Sequence, residues 1–375
     1  MKIGVFISEE GFGHAARQIA ICERLIAHDC NVKLIFFSDK RTEFLRSRIN
    51  HPRAEFRNYS NPYYLIKDSL ASLDIENTYN HFLTTLDNRG ELIDRILEIS
   101  SDIDIFISDG VPIVSQASSF FHKKSYSVQH FSWHWLLVKL HTQYHLRDPN
   151  YQKIAMNMLE DFQKYTAVIK LPLSFSDDEA LSQTNCFSCS DLIISPDLLS
   201  SVPCQNRRNL ILLMDNGTNS LRHTLESLHD HIAQSNHSFA LRTSTLNPAI
   251  QNYYSILSNI ESISTTREMH SLIPESSALI ARGGFNTISE SLYSSTPCAL
   301  INENNNPEIS ANLELIRSHQ LGLVLEAEDL RKNFADVINL LLSDESRRAA
   351  IKNHLTFQYD GANIVSNYIL KSINA

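Results

Sequence analysis

Short runs of β-branched and other apolar residues alternate along the chain with longer stretches in which apolar positions recur every three or four residues. That alternation is the pattern of βαβ units built around parallel sheets. The first unit reads as a strand over Lys2–Ile7, a helix over His14–His28 with Ala15, Ile19, Cys22, Leu25 and Ile26 on one side, and a strand over Asn31–Phe37. Further strands are predicted at Ala54–Tyr59, Ile103–Ile107, Ser125–Gln129 and Ala167–Leu171, with helical patterns over Ile75–Ile99 and Tyr151–Tyr165 among them. Around Ser195–Arg208 the pattern gives way to Ser, Pro, Asn and Gln, the composition of a linker. It then restarts with a strand over Leu210–Met214, a turn over Asp215–Asn219, a helix over Ser220–Ala233 and a strand over Phe239–Thr243. Strands near Glu261–Ser264, Ala278–Ala281, Cys298–Asn302 and Gly322–Glu326 follow. The predicted class is therefore α/β, with two doubly wound Rossmann-like domains over residues 1–200 and 205–356. A C-terminal helix over 357–375 is expected to cross back to the first. In such sheets ligands bind outside the carboxyl ends of the strands, so the loops that follow strands are the places to look.

Length agrees with that division, because 375 residues exceed what one core usually holds, and a cleft between two domains is then expected. The net charge of -9, without a dense Lys/Arg block, argues against a nucleic-acid surface. No apolar run reaches the roughly 20 residues needed to span a bilayer. The N-terminal apolar stretch turns acidic at Glu9 and Glu10 too early for a signal peptide, which predicts a soluble, cytoplasmic protein. The six cysteines are too dispersed for a disulfide scaffold, and Cys22, Cys30 and Cys298 read as core thiols. Cys186 and Cys189 have metal-like spacing but lack the second pair of a structural zinc site, so no metal is expected.

Several loops that follow strands carry candidate chemistry. Gly11, Gly13 and His14 join the first strand to its helix. Glycines there let the backbone take positive φ or approach a ligand, and a helix start favours an anion or developing negative charge. Ala16 stands where a dinucleotide loop has its third glycine, so a dehydrogenase is only weakly supported. The alternative is a plain turn with His14 as a helix cap. Ser108-Asp109-Gly110 ends another strand, and if the two strands are close Asp109 can accept a bond from one His14 nitrogen and raise the basicity of the other. Asp109 is equally readable as a turn or cap residue. The run His130-Phe131-Ser132-Trp133-His134-Trp135 offers aromatic faces for a sugar, with at most one of Trp133 and Trp135 expected to face the cleft, and His130 and His134 as secondary candidates.

In the second half a strand runs into Arg282, Gly283 and Gly284 and then a helix with Asn286, Thr287 and Glu290. The glycines and helix start form a diphosphate cradle, Arg282, Asn286 and Thr287 add charge or hydrogen bonds, and Glu290 is placed for ribose hydroxyls. A bland reading leaves Glu290 as a charge complementing the dipole. The loop Glu303–Glu308, with Asn312 beyond it, holds either sugar hydroxyls or only solvent, and Gly217, Thr218 and Arg242 lie at the same expected edge.

With both turns placed, the chain resembles the GT-B superfamily of nucleotide-sugar glycosyltransferases. The stretch Ala281–Glu326 is similar to the donor-binding signature shared by the lipid II-forming transferase and the plant glucosyltransferases. Glu10-Gly11-Phe12-Gly13-His14-Ala15-Ala16-Arg17 resembles a bacterial and archaeal glycosyltransferase group and the GT-B-like region before the kinase domain of plant L-arabinokinase. Ser108–Pro112, Phe131-Ser132-Trp133 and Ile169–Pro172 have look-alikes there in the same order, so the resemblance covers most of the chain, though the kinase domain is missing. The resemblance implies an inverting transfer from a nucleoside diphosphate sugar as co-substrate, UDP-linked in the first instance, without a cofactor. It places His14 at the base, Asp109 at its partner, Gly283 and Gly284 at the diphosphate loop and Glu290 at the ribose. Many members follow an acidic residue with Gln to hold the donor sugar, whereas this chain has Glu308-Ile309; Asn312 keeps the Asn four residues on. A hydrolase or epimerase on the same scaffold, or a non-catalytic nucleotide-sugar sensor, are the alternatives.

Overall fold

The apolar runs pair side by side as parallel strands. In the first sheet β1 (Lys2–Ile7), β2 (Lys33–Phe37), β3 (Ala54–Arg57), β4 (Ile105–Asp109), β5 (Lys124–Gln129), β6 (Ala167–Lys170) and β7 (Cys186–Ser188) lie in the order β3-β2-β1-β4-β5-β6-β7. In the second, β8 (Arg208–Met214), β9 (Ser238–Leu241), β10 (Ile260–Ser262), β11 (Ser276–Arg282), β12 (Cys298–Ile301) and β13 (Leu323–Leu325) lie in the order β10-β9-β8-β11-β12-β13. This computed structural model describes the chain apart from residues 69–71, 145–149, 184, 200–206, 216–220, 265–268, 304 and 375. Much of the expected linker, and Cys204, Gly217 and Thr218, fall outside the described residues.

The α/β class with two doubly wound sheets is the one the alternation predicted. Strand order reverses once in each sheet, between β1 and β4 and between β8 and β11, and a crevice for ligands opens at such a switch point. Both strands at each switch are buried along their length except at the N-terminal residues of β1 and β8, as continuous apolar runs covered on both faces must be.

The chain forms two compact units. One comprises Met1–Lys67, Leu73–Ile193 and Asp360–Ala375; the other comprises Ile194–Tyr359, with Asp68–Ser72 grouped to it. In the first, helix Gly13–His28 buries Ala15, Ile19, Cys22, Leu25 and Ile26. Helix Gly361–Asn374 packs on it, with His28 Nε2 2.7 Å from Asn363 Oδ1, and Tyr368 stacks on Phe187 of β7 at 3.9 Å. In the second, Ile211, Leu213, Phe239, Leu241 and Ile280 meet Leu330, Phe334 and Ile338 in a shared core.

Some elements differ from expectation. The helix expected over Ile75–Ile99 is two, Ile75–Asp87 and Arg89–Ile99, because the polar stretch Asp87-Asn88-Arg89-Gly90 supplies no apolar position to continue the buried stripe. Arg89 instead forms a bidentate pair with the fully buried Asp161. The helix expected over Ser220–Ala233 is likewise Arg222–Ser227 followed by His229–Ala233. Strand β7 was not predicted, since three half-exposed residues carry no periodicity. It contains Cys186, whose Sγ donates to the Leu181 carbonyl at 2.7 Å, and burial pushes the Cys189 thiol up to about 11. Both sulfurs thus have backbone carbonyl partners, Cys189 Sγ donating to the Asp191 carbonyl at 3.3 Å.

Candidate functional site

The switch point of the first sheet brings His14 and Asp109 together. Strand β1 pairs with β4 so that Ile7 lies opposite Asp109, and the Ser8 amide donates to the Asp109 carbonyl at 2.8 Å. Gly11 then turns the chain at φ 61, with no atom near where a side chain would project. Phe12 is the N-terminal cap position of helix Gly13–His28 but offers no side-chain cap. His14, in the first turn, aims its imidazole back at β4, and Nδ1 lies 2.6 Å from Asp109 Oδ1. A carboxylate only accepts, so Nδ1 carries the proton and Nε2 is the nitrogen left basic.

Asp109 is fully buried and saturated with donors. Arg17 Nε donates to Oδ2 at 2.8 Å and Arg17 Nη2 to Oδ1 at 2.5 Å, while Gln18 Nε2 donates to Oδ2 at 2.8 Å. Burial alone raises a carboxyl; here the Arg17 charge, with the His14 and Arg17 bonds, outweighs it and holds Asp109 well below the usual carboxylate range. Arg17 Nη2 also lies 3.1 Å from His14 Nδ1, but both bear hydrogens, so Asp109 is their common acceptor. Sequence reasoning assigned Arg17 and Gln18 no role. The available signal was spacing, because they stand three and four residues after His14 and share its helix face.

The loop after β4 is held from three directions. Ser108 Oγ donates to the Val111 carbonyl at 2.9 Å, and the Tyr165 hydroxyl donates to the Val111 carbonyl at 3.0 Å. The Gly110 carbonyl accepts from Trp133 Nε1 at 2.9 Å and from Asn61 Nδ2 at 3.3 Å. Gly110 has φ 74, and a Cβ there would lie 2.7 Å from Ser8 Cβ and 3.4 Å from His14 Cε1, so this position requires glycine.

The aromatic run that follows β5 does not present rings to solvent. Trp133 and Trp135 are 2% and 3% exposed, and His130 and His134 are buried with them. At most one tryptophan was expected to face the cleft, and neither is exposed: Trp133 packs against Tyr63, Phe82 and Phe131, and Trp135 stacks on Phe175 and donates to Asp177. Ser132 caps the helix Trp133–Tyr144, its hydroxyl donating to Asp178 Oδ1 at 2.7 Å and accepting from the Trp135 amide at 3.0 Å.

In the second unit, β11 ends in Arg282 at the other switch point, and Gly284 is the N-cap of helix Phe285–Tyr293 without a side-chain cap. The guanidinium of Arg282 is buried and paired with Glu303. Gly283 is needed for packing: a Cβ would lie 2.5 Å from Leu313 Cδ2, and Asn312 Nδ2 donates to the Gly283 carbonyl at 3.1 Å. Asn312 therefore braces the turn from helix Pro307–Ser318, whose own N-cap is Asn306. Gly284 and Asn286 are half-buried, Thr287 and Glu290 are buried on the helix they share with them, and Glu308 is half-buried in the first turn of helix Pro307–Ser318. Arg242 follows β9 directly. Gly283→Ala is expected to cost about 1–3 kcal/mol as Leu313 is forced aside. Urea unfolding should show a lower midpoint at unchanged slope, and an unchanged midpoint would show that Leu313 yields freely.

Among the described residues no group of three or more His, Cys, Asp or Glu is arranged to hold a metal ion, and no helix is long and apolar enough to cross a membrane.

Residues 218–364 match the glycosyltransferase family 28 C-terminal domain. No curated protein matches the chain. Solved structures match along nearly its whole length. LpCGTa in complex with UDP is 13% identical with a TM-score of 0.65, covering 94% of this chain and 93% of that one. The glycosyltransferase VinC in complex with dTDP is 12% identical with a TM-score of 0.65, covering 99% of each chain. MurG of Acinetobacter baumannii is 11% identical with a TM-score of 0.61, again over 99% of each. At these identities the likeness establishes the fold, which is GT-B.

Proposed function

From the GT-B fold and the family 28 match over residues 218–364, we propose that the protein is an inverting glycosyltransferase that moves a sugar from a nucleoside diphosphate sugar, UDP-linked in the first instance, to an acceptor hydroxyl. The observation that carries this reading is the 2.6 Å contact of His14 Nδ1 with the buried Asp109 carboxylate at the carboxyl edge of the first sheet. With Nδ1 protonated and oriented, Nε2 takes the proton of the acceptor hydroxyl as its oxygen attacks the anomeric carbon. The bond from that carbon to the diphosphate breaks on the opposite face, and the configuration inverts.

The donor belongs to the second unit in this reading. The turn Arg282–Thr287 and the start of helix Phe285–Tyr293 meet the charge that grows on the leaving diphosphate, Glu290 takes the ribose hydroxyls, and Gly217, Thr218, Arg242 and Glu308 complete the nucleotide and sugar contacts. Asn312, fixed on the Gly283 carbonyl, shapes that turn. Solved relatives with UDP or dTDP support the donor class. The likeness of Glu10–Arg17 to the bacterial and archaeal transferase group and to the region preceding the plant arabinokinase belongs to this proposal too.

The test is release of free nucleotide from a panel of UDP- and dTDP-sugars, with and without a panel of hydroxyl acceptors. Transfer predicts release that depends on acceptor and a product of inverted configuration. Release at the same rate without acceptor would assign the scaffold to hydrolysis, and binding without turnover would assign it to sensing.

A further inference from the structure

We propose that Trp133 is a positioning residue for the His14–Asp109 pair, acting through the Gly110 carbonyl. The inference deepens the reading of His14 as the base and rests on it. Asp109 and Gly110 are consecutive, so whatever fixes the Gly110 peptide fixes the exit of the strand that carries the carboxylate. Gly110 sits at a φ of 74 with the His14 ring against it, Cε1 lying 3.4 Å from where a Cβ would stand. This glycine has wide backbone freedom, and a turn with that freedom keeps one geometry only where its peptide groups are tied.

The strongest tie is the Trp133 indole N–H, 2.9 Å from the Gly110 oxygen, with Asn61 as a longer second donor at 3.3 Å. The indole is itself locked. Trp133 is 2% exposed, Phe82 and Phe131 meet it edge to face at 5.7 and 6.2 Å, and its helix is capped by Ser132. Ser132 is anchored in turn by its amide and hydroxyl on Asp178, 2.6 and 2.7 Å away. A rigid path thus runs from Asp178 through Ser132 and Trp133 to the peptide beside the imidazole. Nothing along it touches a reacting atom, which makes it a matter of geometry rather than of chemistry.

Trp133→Phe keeps the aromatic packing and removes the N–H. Trp135→Phe is the control, an equally buried indole whose N–H goes to Asp177 instead. In protein labelled with ¹⁵N-histidine, a proton held between Nδ1 and a carboxylate at 2.6 Å gives a far-downfield, slowly exchanging resonance, assigned by its loss in His14→Gln. That resonance should persist in Trp135→Phe and broaden or vanish in Trp133→Phe. Alongside it, Trp133→Phe should lower kcat on the order of ten-fold with the KM for nucleotide sugar unchanged. A resonance as sharp in Trp133→Phe as in the parent overturns the proposal, and so does its absence from the parent. If the resonance behaves as expected but His14→Ala turns over normally, the positioning role stands and the assignment of His14 as base falls.

Discussion

His14→Ala should lower the kcat of sugar transfer by roughly 10²–10⁴-fold while the KM for nucleotide sugar changes little, because the imidazole acts only as the acceptor proton is removed. The ring contributes little to the fold. Its side chain is 14% exposed, and the bond it makes to Asp109 duplicates contacts that Arg17 and Gln18 already supply. The folded state should therefore survive the change, and unfolding free energies of the variant and parent should agree within about 1 kcal/mol. Steady-state kinetics with saturating acceptor tests this. A variant that keeps its kcat would remove His14 from the chemistry.

Asp109→Asn should be worse in a second respect. An amide oxygen can still accept from His14 Nδ1, but the amide nitrogen then confronts the donors of Arg17 and Gln18, and the buried guanidinium of Arg17 loses its counter-charge. Removing one partner of a buried pair costs about 3–5 kcal/mol. The fall in kcat should match or approach that of His14→Ala, since a neutral partner no longer stabilises the imidazolium that forms. The pH dependence has a definite sign. Asp109 is held below its ordinary value in the fold, so its stabilising contribution is present above that ordinary value and is lost as the pH falls toward the depressed one. Urea unfolding of parent and variant should differ most at neutral pH and converge in acid. A constant gap would mean that the carboxylate charge is not what Arg17 and His14 hold.

The legible and illegible parts of the molecule separate along physical lines. Parallel strands at a switch point are buried on both faces, so Lys2–Ile7, Leu210–Met214 and the run before Arg282 stand out as apolar blocks, and the doubly wound class follows from them. His14 and Asp109 were visible as polar residues at strand ends because local sequence marks such places. Arg17 was not, since an arginine in a helical pattern reads as solvated, and only the fold shows it 4% exposed on a carboxylate 92 positions away. Trp133, Asn61 and Tyr165 escaped for the same reason: the loop they hold lies 23, 49 and 54 positions off. At Gly283 the sequence marks a glycine beside a helix start, but not the packing of Leu313 against the position a Cβ would take. Asn88 ended a helix inside a stretch whose apolar spacing had suggested continuity.

Helix Gly361–Asn374 lies against helix Gly13–His28, and Tyr126 of β5 meets Ser372 at 2.5 Å. Chain synthesis runs the other way from this assembly. The unit that carries β1 cannot close until Asp360–Ala375 has been made, while the unit spanning Ile194–Tyr359 is contiguous apart from the short Asp68–Ser72 segment and has almost all of its residues available earlier. The unit that follows in sequence is thus positioned to finish folding first, and the unit that carries His14 must wait, its helix uncovered, for helix Gly361–Asn374.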